Sequence, residues 1–118
     1  MVGVASNALA WAPVVLWAAV IFALSSIPSL GTGLGVWDTI LRKLAHTVEY
    51  AVLGALLLRA TGRVDLTFAL GVLYAASDEF HQTFVPGRHG SPVDVAIDAV
   101  GITVGIALSF RAGRGRLG

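Results

Sequence analysis

The chemistry in this chain is concentrated in two short stretches. Lys43, His46 and Glu49 follow one another at intervals of three, and Asp78, Glu79, His81 and Gln82 stand together further on, followed by Arg88, Asp94 and Asp98. An imidazole with a carboxylate nearby is a general-base or nucleophile arrangement, so His46 or His81 could act, with Asp78 or Glu79 orienting the ring. Lys43 and Arg88 supply cations for an anionic group, Arg88 in bidentate fashion. A second chemistry is open to the same residues. His46, Glu49, Asp78, Glu79, His81, Asp94 and Asp98 offer two imidazoles and several carboxylates, a donor set for a divalent metal such as Zn²⁺ or Mn²⁺. No single run has tight metal-motif spacing, so the ligands would come from separate elements. A third chemistry is a proton or ion relay, because ionisable groups inside a membrane mark such pathways.

Each feature also has a plainer reading. His46 with Glu49 could be an interhelical hydrogen bond worth only about 0.6–2 kcal/mol in a membrane. The acids at 78 and 79 could be solvated among headgroups, and Arg88 could snorkel to lipid phosphate. His89 reads as an exposed loop residue.

What surrounds these polar residues is almost all apolar. Of 118 residues, 56% are hydrophobic and 13% charged, with a mean hydropathy of +0.80. A soluble domain carries about 25% charged residues. Lipid is therefore the solvent expected for much of the surface. A net charge of +1 argues against a nucleic-acid partner, and with no cysteine there are neither disulfides nor thiolate ligands.

Four apolar segments, about 8–27, 39–60, 64–83 and 91–110, predict an all-α fold: an integral membrane four-helix transmembrane bundle with short loops, in a single domain over 1–118. Asp38 is the expected N-cap of the second helix. Ser91, Pro92 and Asp94 are the expected N-cap, first position and N3 of the fourth. Residues 1–10 contain no Lys or Arg, so the first segment reads as a retained helix and not a signal peptide. Trp11 and Trp37 suit the interfacial belts, and Trp17 suits lipid or a neighbouring helix. Four spans put both termini on one side. Five arginines then lie on that side (59, 63, 111, 114, 116) against three basic residues opposite (42, 43, 88), which predicts cytoplasmic termini and a basic cytoplasmic tail over 111–118.

Helix rise turns this topology into depths. Thirteen residues separate His46 from Arg59, fifteen separate Arg63 from Asp78, and thirteen separate Asp98 from Arg111. At about 1.5 Å per residue, all three polar residues lie roughly 20–22 Å above the inner boundary, within the outer leaflet of a core about 30 Å thick. Lys43, Glu79, His81 and Asp94 fall slightly higher. The faces agree. Lys43, His46, Tyr50 and Leu53 share one, Tyr74, Asp78, His81 and Gln82 another, and Asp94, Asp98, Gly101 and Gly105 a third. Gly101 and Gly105 also form a small-xxx-small pair that lets helices approach.

Three runs resemble the VanZ-like membrane proteins: Lys43-x-x-His46-x-x-Glu49-Tyr50-x-x-Leu53; Asp78-Glu79-x-His81-Gln82-x-Phe84-x-Pro86-Gly87-Arg88; and Asp94 with Gly101. Ser25-Ser26-x-Pro28 fits as well, and the resemblance covers about residues 20–108. Asp98 departs from the pattern, where Asn is expected. The resemblance implies a small helical protein of the bacterial cell membrane, associated with resistance to glycopeptide antibiotics. The expected site combines His46, Glu49, Asp78, Glu79, His81 and Asp94 as reactive groups, Lys43 and Arg88 as anion holders, and Tyr50, Gln82, Asp98 and Gly101 in support. The expected partners are membrane lipids and a lipid-linked cell-wall precursor or antibiotic. A transporter reading needs an oligomer, because four spans are few.

Overall fold

The computed structural model describes residues 7–26, 36–85 and 91–117. They form an all-α bundle of four helices, with no strand among the described residues: α1 (Asn7–Ser25), α2 (Val36–Thr61), α3 (Val64–Gln82) and α4 (Pro92–Leu117). α1 has no charged residue, and Pro13 is accommodated within it. α2 begins before Asp38, which therefore stands in its first turn and not at its cap. α2 and α3 are joined by Gly62 and Arg63. Gly62 takes φ of 69°, the left-handed conformation that ends a helix, and its N–H donates to the Leu58 carbonyl. At the start of α4 the expected cap is present: the Asp94 N–H donates to Ser91 Oγ, and Pro92 opens the helix. α4 then runs on to Leu117, so residues 111–117 continue a helix where a separate tail was expected.

The packing order matters for the site. α2 and α4 share the most extensive contact, and α2 and α3 each touch all the other helices. α1 and α4 do not meet among the described residues. α2 and α3 therefore lie between α1 and α4, and α4 brings its own polar residues to the inner side. The core is shared by all four: Val14 and Ile21 of α1, Tyr50, Leu53 and Leu57 of α2, Ala75 of α3, and Ile102 and Ile106 of α4. Trp17 donates its indole N–H to the Glu49 carbonyl, so it faces a neighbouring helix. Trp11, expected at an interface, packs half-buried against the core, whereas Trp37 is exposed.

The outside of the bundle is apolar. Leu9, Leu16, Leu44, Val48, Leu73, Phe80, Val100 and Leu108, two from each helix, are all more than half exposed. So much exposed apolar surface is the kind lipid solvates and water does not. Two helices, over Ala8–Ser25 and Pro92–Ala112, are long and apolar enough to cross a membrane on their own. α2 and α3 fall short by composition because they carry Arg42, Lys43, Glu49 and Asp65, Asp78, Glu79 respectively.

Candidate functional site

The helical rotation of 100° per residue explains how α3 distributes its polar groups. With Asp78 as zero, Glu79 turns 100° one way and His81 about 60° the other. Asp78 faces α2, Glu79 reaches the start of α4, and His81 reaches α1. The site is built around this fan.

At its centre are one residue from each of three helices. His46 of α2, Asp78 of α3 and Asp98 of α4 each present a nitrogen or oxygen atom, and these atoms lie within 4.8 Å of one another. Asp98 is fully buried and Asp78 is 2% exposed. His46 Nδ1 lies 3.4 Å from Asp98 Oδ1, an ion-contact distance but not aligned as a hydrogen bond. Asp78 Oδ2 accepts from Tyr50 Oη at 3.0 Å and from Gln82 Nε2 at 3.4 Å. Its other oxygen, Oδ1, and both oxygens of Asp98 have no hydrogen-bond partner among the described residues. Buried carboxylates are normally paired or hydrogen-bonded, because desolvation is costly. This trio therefore has capacity to spare.

Above it lies a second, more open group. Lys43 Nζ donates to Asp94 Oδ1 at 2.7 Å, and the Lys43 side chain is 43% exposed. Glu79 Oε2 accepts the Ser91 N–H at 2.8 Å, which ties α3 to the start of α4, while Glu79 Oε1 is buried with no hydrogen-bond partner among the described residues. Glu79, Thr83 and Ser91 are the polar lining of a groove of about 400 Å³, whose other walls are Ala76, Phe80, Pro92 and Val95. The groove lining is mostly apolar, and its Ser91 hydroxyl accepts the N–H of Asp94, the partner of Lys43.

His81 belongs to neither group. Its ring stacks on Phe22 of α1 at 4.2 Å, and its Nε2 lies 2.9 Å from Ser26 Oγ. The Ser26 hydroxyl donates to the Phe22 carbonyl, so in this arrangement His81 Nε2–H is the donor to Ser26 and is not a base toward it. Ser26 is a site neighbour that residue-type reasoning passed over; its only signal was the Ser25-Ser26-x-Pro28 run. Tyr74 extends the same α1–α3 contact by donating to the Ala18 carbonyl. Glu49 is half-buried and offers its backbone carbonyl to Trp17. Gly101 packs against the Thr47 carbonyl and Tyr50, which brings Asp98 against α2. Arg88, His89, Pro86 and Gly87 lie outside the described residues.

A protein-family model described as VanZ/LLP1 matches residues 10–113. No curated protein and no solved structure matches the chain.

Proposed function

The chain belongs to the VanZ/LLP1 family and is a membrane protein, and from that premise we propose that it binds the charged head of a membrane amphiphile in the extracytoplasmic leaflet of the bacterial envelope. The observation that carries this reading is the groove whose apolar walls, Phe80, Pro92 and Val95, adjoin Glu79 and Ser91, with the half-buried pair of Lys43 on α2 and Asp94 on α4 one turn from Ser91. An acyl or polyprenyl chain would lie along the apolar wall. A phosphate would draw on Lys43 and on Arg88, the second cation expected from the sequence, and hydrogen-bond donors of the head would meet Asp94. The ligand class is therefore a phosphate-bearing head that also carries amine, amide or hydroxyl donors. Both a phospholipid and a lipid-linked cell-wall precursor have this chemistry. It agrees with the glycopeptide-resistance association of the family resemblance, since those antibiotics act at the outer membrane face.

The reading includes all four helices crossing the bilayer with both termini cytoplasmic. Support comes from the apolar outward faces of α2 and α3, which balance their inward charges, and from the arginines toward the ends away from the site. At about 1.5 Å per residue, even the 19-residue α1 and α3 reach about 28 Å.

The test is photo-crosslinking in nanodiscs carrying a diazirine-tagged phosphatidylethanolamine, phosphatidylglycerol or polyprenyl-diphosphate-linked amino sugar. Labelling should concentrate on peptides containing Phe80 or Val95 and favour one head over the others. It should fall about tenfold in Lys43→Gln and Asp94→Asn, the loss expected for one charge-assisted contact. Equal labelling of wild type and both variants with every probe would sink the reading. Which probe wins separates a bulk phospholipid from a cell-wall precursor.

A further inference from the structure

We propose that His46, Asp78 and Asp98 form a binding site for one divalent first-row cation, Mn²⁺ or Zn²⁺, in the interior of the bundle. The three donors come from α2, α3 and α4, and their nearest atoms lie within 4.8 Å of one another. Around an ion with bonds of about 2.1 Å, ligand atoms stand roughly 3–3.5 Å apart. Closing the trio onto an ion therefore asks for side-chain rotation of about an ångström, not movement of helices.

Three observations point to a cation and not simply to a polar contact. First, both oxygens of the fully buried Asp98 and Oδ1 of Asp78 lack a hydrogen-bond partner among the described residues. Second, Oδ2 of Asp78 is held by Tyr50 and Gln82, which leaves Oδ1 available. Metal-binding carboxylates are commonly supported in this way by hydrogen bonds on the atom that does not bind. Third, charge balances. Two carboxylates facing one another away from water repel, while one divalent ion with a neutral imidazole makes the group electrically neutral. One nitrogen with carboxylate oxygens is a donor set that Mn²⁺ and Zn²⁺ both accept. Lys43, the basic residue next along the same face of α2, is engaged by Asp94 and does not neutralise the trio.

The cation site is distinct from the groove: it lies inside the bundle, and its occupancy requires no amphiphile. The experiment uses the full chain in detergent, stripped with chelator and titrated with MnCl₂ without added lipid. About one equivalent of Mn²⁺ should bind, and its pulsed paramagnetic resonance should show coupling to a single ¹⁴N. That coupling should vanish in His46→Gln. Affinity should fall at least tenfold in Asp78→Asn and in Asp98→Asn, and stay within about twofold in Asp65→Asn, an exposed acid in the α2–α3 turn region. Zn²⁺ should displace the Mn²⁺. Less than about one tenth equivalent in the wild type, or bound Mn²⁺ with no nitrogen coupling, overturns the proposal without reference to any variant. Because no lipid is present, that failure leaves the crosslinking result untouched.

Discussion

Tyr50 shows how a single residue can serve both packing and the site. Its ring is fully buried in the shared core, and its hydroxyl donates to Asp78 Oδ2. Tyr50→Phe keeps the ring and removes the donor, leaving that oxygen with only the long contact from Gln82. Expected is a loss of about 1–2 kcal/mol in unfolding from detergent, since the cost is that of an under-satisfied buried acceptor and not of a cavity. A variant as stable as the wild type would mean that Asp78 is not oriented by Tyr50. At this scale much was legible in the sequence. His46, Asp78 and Asp98 lie thirteen to fifteen residues from basic boundary markers, so helix rise alone set them at one depth. The Lys43–Asp94 pair was not legible as a pair, because it joins residues 51 apart through the lateral packing of α2 and α4. His81 was grouped with Asp78 on one face, yet the 60° between them passes from the α2 side of α3 to the α1 side. Spacing along a helix gives angles but does not tell which neighbour occupies each angle.

The α2–α4 seam is the element on which the site depends, because it fixes His46 and Asp98 against each other. It is made close by glycines. A Cβ on Gly101 would come 2.5 Å from the Thr47 carbonyl oxygen, and one on Gly54 would come 2.7 Å from that of Ile102. These neighbours are backbone and cannot rotate away. Gly101→Val should therefore cost about 3 kcal/mol or more, at or beyond the upper end of ordinary overpacking, and should separate His46 from Asp98. Thermal unfolding in detergent measures it; an unchanged midpoint would contradict so tight a seam. The Gly101-x-x-x-Gly105 repeat announced this contact. Gly54, its counterpart on α2, did not stand out, because a lone glycine in an apolar helix has no spacing to betray it. The helix ends were legible where side chains set them, as at Ser91-Pro92. They were misjudged at Asp38, a capping type that stands inside the first turn, and after Phe110, where the helix runs on through Gly113 and Gly115.

At the scale of the molecule, the distribution of polarity is the reverse of a water-soluble bundle. Apolar side chains from all four helices face outward, and Asp78, Glu79, Asp98 and Gln82 are buried. Composition alone indicated a helical membrane protein, since 13% charged residues cannot cover a surface of this size with polar groups. The proposed topology puts the polar centre toward the outside of the cell and the α2–α3 turn inside. The chain contains no cysteine, so single introduced thiols report position without ambiguity. The most direct measurement is labelling of Thr83→Cys, exposed just past the C-terminal end of α3, and of Asp65→Cys, exposed at its other end, with a membrane-impermeant maleimide. In intact cells Thr83→Cys should label fully and Asp65→Cys should stay unlabelled until the membrane is permeabilised. The opposite pattern, or equal labelling of both in intact cells, would contradict the account.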